Sequence, residues 1–496
     1  MSNARRLLAP APLPLLAGVA VAPGQAPFGF WALSLVGLAL LVWLVASAPS
    51  PALRLARGWW AGVGYFALAL FWIIEPFLVL PEQDGWMAPF ALVFMAAGMA
   101  LFWGGAAVAA GLGTGLRSRA LGFALGLGLA DLARSYLFTG FPWALVGHIW
   151  IDTPLSQLLA YVGPIGLSAL TALVAGLPVM MPRMAGLGLA TLTLAIGWGA
   201  GQWRLDLPDP ERDTNIRVRL VQPNAIQRQK WDPGMWDVFV ERLMDDTAAP
   251  AEQPLDLVIW PETAVPYLLL DAGPLLAEAA QASGGVPLVL GIQRDEGMRY
   301  YNSIAFVDGQ GLVGQIHDKA HLVPFGEYVP FGDLLAKVGI SAFAAQEGNG
   351  YSPGPGLQLL DLGKAGRVLP LICYEAICPQ DLRAAAGRAD WILQVTNDGW
   401  FGAYQGPFQH LALARMRAIE QGLPFLRAAN TGISVVIDAK GRIQSSLGLG
   451  EQGRLDADVP GAMPRTYYTR FGDIPAQMAI LVLLFALWLH RRRSIA

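Results

Sequence analysis

The sequence predicts a multi-pass α-helical membrane bundle of eight spans that carries a large α/β domain outside the bilayer. Three observations predict it. The 496-residue chain is 54% hydrophobic and only 14% charged, against roughly 25% charged in soluble domains, and its mean hydropathy is +0.44. The charge is uneven: most acidic residues lie between Asp206 and Asp473, which leaves the first 204 residues as the apolar part. Within the acidic stretch, short apolar runs alternate with helical patterning, as in a layered α/β domain. The expected division is a bundle of seven spans over 1–204, the outer domain over 205–473, and an eighth span with a basic tail over 474–496.

A span needs about 20 largely apolar residues. The windows are Leu7–Val21, Phe28–Ala48, Trp59–Leu80, Trp86–Leu112, Leu121–Phe138, Leu155–Met181, Leu187–Trp203 and Ile474–His490. The first is the weakest, because Pro10, Pro12 and Pro14 disfavour the start of a helix. Its rival reading is a cleaved signal peptide behind Arg5 and Arg6, although no clear small-x-small cleavage site precedes a soluble segment.

Arginine sets the orientation. Alternate connections hold Arg5 and Arg6, Arg54 and Arg57, Arg117 and Arg119, Arg183, and Arg491 to Arg493, while the intervening short ones lack arginine: Ala22-Pro-Gly-Gln-Ala26 has no charge and the next carries Glu82 and Asp84. The positive-inside rule puts the arginine set in the cytoplasm. Both termini are then cytoplasmic and the domain is periplasmic. Asp131 and Arg134 share a helix face near the outer end of the fifth span. They are either a functional intramembrane pair or an interfacial pair that wets itself. The following loop, Thr139–His148, is aromatic and is expected in the outer headgroup layer, where tryptophan is favoured.

In the outer domain, Arg217–Val221, Leu255–Trp260, Pro287–Ile292, Asn302–Val307, Leu312–Ile316, Val368–Cys373, Trp391–Thr396 and Ser434–Asp438 read as strands. Met235–Thr247, Pro274–Ala282 and Phe408–Gln421 read as helices. In the last, Leu411, Ala414, Ala418 and Ile419 form the apolar stripe, with Arg415, Arg417 and Glu420 off it. The Gly309-Gln-Gly311 turn predicts a hairpin, hence a mixed sheet.

Three residues near the ends of strand-like runs carry chemistry: Glu262, Lys319 and Cys373. Acyl transfer needs a nucleophile, a base and a group that holds an oxyanion. A nearby cation lowers the pKa of a thiol, a carboxylate in apolar surroundings can shuttle a proton, and a lysine ammonium can stabilise a tetrahedral oxyanion. Taken singly, such a cysteine is usually inert packing and such a glutamate or lysine is usually solvated. Cys373 and Cys378, the only cysteines, could instead bridge in an oxidising compartment, although a bridge over so short a loop stabilises little. His317 and His321 would face one way on a helix and hold a metal, but Gly311, Gly314 and Pro324 argue against a helix there. No metal and no cofactor are expected. A net charge of -3 offers no footprint for nucleic acid.

From about Asn215 to Val459 these residues resemble the nitrilase superfamily. The motifs are Trp260-Pro-Glu-Thr263, Lys319-Ala-His-Leu-Val-Pro-Phe-Gly-Glu327, Cys373-Tyr-Glu375 and Asn397-Asp-Gly-Trp-Phe-Gly402. The membrane frame, Phe141-Pro-Trp143 after the fifth span, and Cys-Tyr-Glu make the whole chain similar to the apolipoprotein N-acyltransferases. The resemblance implies a nitrilase-like α-β-β-α sandwich on an eight-span bundle, in the inner membrane of a bacterium with an outer membrane. It implies transfer of a fatty acyl chain from a phospholipid to the α-amino group of a lipoprotein's S-diacylglyceryl cysteine. By resemblance Glu262 is the general base, Lys319 the oxyanion stabiliser and Cys373 the nucleophile. Glu327, Tyr374 and Glu375 match supporting positions, and Trp231 matches a mobile loop near the substrate.

A thioester intermediate predicts ping-pong kinetics and requires that water be kept out. Trp231, Tyr267, Phe343, Trp400 and Phe401 are candidates to line a lipid groove; the plainer reading makes such rings core or interfacial aromatics. The alternative functions are a membrane-tethered nitrilase-type amidase acting on a small amide, and a multispan carrier or scaffold whose outer domain only binds.

Overall fold

A computed structural model describes residues 11–329, 350–385 and 387–495. Among them, five helices are long and apolar enough to cross a membrane: Pro81–Ala110, Leu116–Thr139, Pro154–Met180, Arg183–Leu205 and Ile474–Ser494. A sixth is present if Pro51–Ala69 and Phe71–Leu78, bent by 48°, count as one span. Pro12–Gly24 and Trp31–Ala46 are shorter apolar helices. The third expected window therefore bends rather than running straight, and Pro76 lies inside its second, 3₁₀ segment, where it removes a backbone donor. The start of the first window, with Arg5 and Arg6, lies outside the described residues. Its helix begins at Pro12, in the first turn, where proline is tolerated.

Small residues set the close crossings. A Cβ at Gly58 would lie 2.6 Å from the Trp103 carbonyl oxygen, and one at Gly62 would lie 2.7 Å from the Ala100 Cα. Gly122 and Gly126 meet Ala109 and Ala106 in the same way. Both pairs are spaced as small-xxx-small, the pattern that lets helix backbones touch in lipid.

Asp131 and Arg134 do not wet themselves at an interface. They form a buried 3.1 Å ion pair. Arg134 donates to the carbonyls of Phe141, Trp143 and Ala144, and the second Asp131 oxygen accepts from the Val146 N–H at 3.0 Å. The pair is thus a buried cap that satisfies the backbone of the loop after the span. The loop does not present these rings to lipid headgroups: Trp143 and His148 are buried in protein, and Trp143 donates to Gln409 of the α/β domain at 2.7 Å.

The α/β domain contains two six-stranded sheets. In chain order the strands are β1 (Arg217–Gln222), β2 (Leu257–Ile259), β3 (Leu288–Glu296), β4 (Arg299–Val307), β5 (Val313–Asp318), β6 (Leu360–Asp361), β7 (Arg367–Ile372), β8 (Trp391–Thr396), β9 (Phe425–Ala429), β10 (Ser434–Ile437), β11 (Ile443–Leu447) and β12 (Gly453–Asp458). One sheet runs β12-β1-β2-β3-β4-β5 and the other β11-β10-β9-β8-β7-β6. Both are mixed, with β1-β2-β3 and β7-β8-β9 parallel, and β4 and β5 form the expected hairpin. Leu220, Ile259 and Val289 from one sheet pack on Ile372, Leu393 and Val436 from the other. Helices Trp236–Ala248 and Gly273–Ala282 cover the first sheet through Leu243, Leu276 and Ala279. Gly406–Gln421 covers the second through Leu411, Ala414 and Ala418. The result is an α-β-β-α sandwich.

Helix Gly406–Gln421 has no solvated face. Its other side, with Ala412, Leu413 and Met416, joins the core of the bundle, so Arg417 and Glu420 are buried and pair with each other at 2.6 Å. Gln409 accepts from Trp72 at 3.1 Å and donates to the Ala69 carbonyl at 3.0 Å. The second sheet's helix is therefore seated on the bent segment and on the loop that Arg134 holds.

Candidate active site

Three chain turns at one end of the sheets deliver the candidate residues. Glu262 follows β2, in a loop that crosses β3 at Gly291, where a Cβ would lie 2.5 Å from the Glu262 Cα. Lys319 follows β5, and its backbone N–H donates to the Asn302 carbonyl at 2.8 Å. Cys373 follows β7 and opens the 3₁₀ turn Cys373–Ile377, with its backbone in the left-handed region at φ +48°. A non-glycine residue there is strained and needs surroundings that hold it.

The side chains converge. Lys319 Nζ lies 2.8 Å from Glu327 and 3.7 Å from Glu262. Asn302 donates from its amide nitrogen to both carboxylates, at 2.7 Å to Glu262 and 3.2 Å to Glu327. The second Glu262 oxygen accepts from the Asn397 N–H at 2.8 Å, and the second Glu327 oxygen accepts from the Val323 N–H at 2.9 Å. Glu375 joins the lysine loop to the cysteine turn. One of its oxygens accepts from the Ala320 and His321 N–H groups, and the other accepts from the Ile372 N–H at 2.8 Å beside His317. All these carboxylates are buried.

Burial decides the charges. It pushes the Glu262 carboxyl up; Lys319 opposes this and Glu327 adds to it. Burial works against the Lys319 ammonium, but Glu327 and Glu262 outweigh it and hold the cation firmly charged. Burial also pushes the Cys373 thiol up, reinforced by Glu262 and opposed by Lys319. The thiol is thus not the cation-lowered thiolate that the sequence suggested; it rests as SH beside a carboxylate whose own affinity for a proton is raised. Glu375 goes the other way: burial is outweighed by His317 and backbone donors, and its carboxyl is lowered.

Both cysteines are free, so the bridge alternative fails. His317 ends β5 and faces Glu375, and His321 lies in the next loop, so the two do not share a helix face. The metal-ligand grouping among the described residues is His321, Cys378 and Asp381. Asp381 engages Nδ1 at 2.7 Å, while Cys378 sulfur lies 3.9 Å from Nε2. These two contacts engage opposite nitrogens of the ring.

The sequence pattern of the carbon-nitrogen hydrolase family matches residues 217–468, and that of the apolipoprotein N-acyltransferase N-terminal domain matches residues 17–177. The chain is 38% identical to the apolipoprotein N-acyltransferase of Brucella melitensis over 510 residues, covering 96% of this chain and 95% of that one. It is 41% identical to that of Caulobacter vibrioides over 499 residues, covering 95% and 92%. The chain belongs to the apolipoprotein N-acyltransferase family. Among solved structures, an amidase from Nesterenkonia sp. is 22% identical and aligns with 54% of this chain and 97% of that chain at a TM-score of 0.40.

For this N-acyltransferase family member, the remaining sequence candidates fall around the centre rather than in it. Tyr374 turns to the bundle, where its hydroxyl lies 3.4 Å from the Gly140 carbonyl and its ring meets His321. Trp231 is half-buried beside Lys230. Trp400 is half-buried at the end of the turn after Asn397, and Tyr267 packs edge-on to Trp236. Phe401 packs on Trp72 and Trp143 at the bundle interface. Phe343 lies outside the described residues. The sequence reading missed Asn302 and Lys230. Lys230 is buried and donates to the Glu262 carbonyl at 3.1 Å; burial lowers its pKa to about 8 against the pull of Glu262 and Cys373. The available signal for Asn302 was an amide at the start of the strand run Asn302–Val307.

Proposed function

We propose that this acyltransferase moves a fatty acyl chain from a membrane phospholipid to the α-amino group of an S-diacylglyceryl apolipoprotein, through a thioester on Cys373. The observation that carries the reading is a buried thiol just after the end of β7 whose proton affinity both Glu262 and Lys319 shift, with those two groups buried and 3.7 Å apart. Glu262 takes the thiol proton as the sulfur attacks the ester carbonyl. Lys319 stabilises the oxyanion, and Glu262 returns the proton to the leaving lysophospholipid oxygen. In the second half, the lipoprotein amine attacks the thioester, its proton passes to Glu262, and the thiol is restored. Glu327 keeps Lys319 charged and aimed, and Glu375 keeps the lysine loop against the cysteine turn. Trp231, Tyr374 and Trp400 stand around the centre as supporting or substrate-side groups.

The same reading makes 205–473 the periplasmic catalytic domain and assigns eight crossings, with both termini cytoplasmic. Its support is that Arg491 donates to the Gly111 carbonyl while the Arg54 guanidinium lies 3.4 Å from where a Cβ on Gly111 would be. Arginine-bearing connections thus share one end of the bundle, the cytoplasmic end by the positive-inside rule. The outer domain docks at the other end, where Tyr136 donates to Asp473 at 2.9 Å.

The test is lysophospholipid release from phospholipid vesicles. Cys373→Ser should release none and Cys378→Ser should release it normally. Turnover in Cys373→Ser, or ammonia release from small amides without lipid, would defeat the proposal.

A further inference from the structure

A second polar cluster lies behind Cys373, apart from the glutamates and lysines that face it. The Cys373 carbonyl oxygen is 2.8 Å from Gln394 Nε2 and 3.2 Å from His410 Nε2. His410 Nδ1 meets Asp398 Oδ1 at 2.9 Å, and Gln394 Nε2 lies 3.2 Å from His410 Nε2. Arg427 donates to Gln394 Oε1 at 2.8 Å and also pairs with Asp398. All four side chains are fully or almost fully buried.

Arg427 fixes the amide, because its guanidinium takes the Gln394 oxygen and so turns the NH2 toward the Cys373 carbonyl and His410; the 3.2 Å approach of His410 Nε2 to that carbonyl is then a close contact rather than a hydrogen bond. With Nδ1 donating to Asp398, a neutral imidazole presents Nε2 as an acceptor. Gln394 then gives one N–H to the Cys373 carbonyl and the other to His410, while its oxygen receives Arg427. A flipped amide would set N–H against guanidinium and oxygen against two acceptors. Burial and Arg427 keep His410 neutral, in agreement with that pattern. The ring is therefore a lock on one amide orientation, and that amide grips the carbonyl of a residue in the strained left-handed region.

We propose that Gln394, oriented by His410, Asp398 and Arg427, is a positioning residue that fixes the backbone of Cys373 and so aims its sulfur. The lock also reaches the bundle. The His410 ring packs 5.6 Å from Trp143 and 5.3 Å from Phe401, and its chain neighbour Gln409 is bonded to Trp72 and Trp143. One turn of helix thus joins the membrane segments to the nucleophile.

The inference rests on Cys373 being the nucleophile. It is tested in the full-length protein in detergent with His410→Phe, which keeps the ring packing and removes both hydrogen bonds, and His410→Gln, whose amide supplies one acceptor and one donor. Two readouts are followed: the kcat and KM for phospholipid and a diacylated lipopeptide, and the rate at which iodoacetamide alkylates Cys373. A displaced nucleophile costs on the order of 100-fold, so His410→Phe should lower kcat by about that factor, with KM changed by less than about twofold. Alkylation should change in parallel, and His410→Gln should recover about tenfold or more. Wild-type kcat and alkylation in His410→Phe, a loss confined to KM, or no recovery in His410→Gln would overturn the proposal. If His410→Phe does not purify folded, Gln394→Leu replaces it, and wild-type kinetics there overturn the proposal equally. Cys373→Ser is run alongside: turnover in that chain sinks the nucleophile assignment, whereas an inactive Cys373→Ser with an unaffected His410→Phe sinks only the positioning role.

Discussion

Lys319→Met separates the two roles that the geometry gives to one cation. Nζ lies 3.7 Å from a Glu262 oxygen and 2.8 Å from a Glu327 oxygen, so those oxygens are at most ~6.5 Å apart. Without the lysine, the Glu327 charge that already raises Glu262 is no longer opposed by that cation. With an effective dielectric near 20, the repulsion between the two carboxylates is about 2.5 kcal/mol, or about a hundredfold in ionisation of Glu262. The Glu262 carboxyl, already raised by burial, should rise further, so the acid limb of the rate profile moves to higher pH. Independently, loss of the oxyanion donor should cost about 10²–10³ in the acylation rate. The double variant Lys319→Met/Glu327→Gln removes the repulsion without restoring the lysine: the acid limb should move part of the way back and the rate deficit should stay. The assay is single-turnover lysophospholipid release across pH. An unchanged acylation rate in Lys319→Met would refute the oxyanion role. An acid limb that does not respond to Glu327→Gln would refute the electrostatic account of Glu262.

Arg134→Leu should strand Asp131 and three loop carbonyls in the interior, a loss of about 3–5 kcal/mol, seen as a clear drop in the thermal midpoint of the purified protein; a midpoint within a degree or two of wild type would contradict it. Asp398 is held at about 2, because Arg427 and His410 outweigh the burial that would raise it. A lowered carboxyl stabilises the fold above its unfolded value and loses that stability as pH falls through the folded value. Asp398→Asn should therefore flatten the loss of stability between about pH 4 and about pH 2, and an acid melting series identical to wild type would count against it. Glu375→Gln weakens the acceptor that holds Ala320, His321 and Ile372; kcat should fall by about tenfold or more while Cys378 stays unreactive, and wild-type kcat would remove the clamp from the account.

Much of the plan is legible in the sequence because hydrophobic pattern reports directly on lipid and on sheet interiors. Glu262, Lys319 and Cys373 stand out since each follows an apolar run, and strand ends are where a chain turns and exposes chemistry. What escapes is polarity turned inward. β9 contains Arg427, and β11 and β12 are polar edge strands, so no apolar run marks them. Arg417, Glu420 and His410 fall off the apolar stripe of their helix, yet the helix is buried between a sheet and the bundle. Trp143 has the composition of an interfacial anchor and is instead sealed beneath the α/β domain. Pattern assigns polar residues to solvent, whereas here hydrogen-bonded partners distant in the chain receive them. The bend after Ala69 escapes for a related reason: Phe71–Leu78 is as apolar as a straight span, and only Pro76 hints at the break.

The central claim is that the acyl group rests on one sulfur between donor and acceptor. Intact-protein and peptide mass spectrometry after incubation with phospholipid alone tests it most directly. The account predicts an added acyl-sized mass on the peptide that carries Cys373, which disappears when a diacylated lipopeptide is supplied. No adduct while lipopeptide is turned over, or an adduct on Cys378, would contradict it.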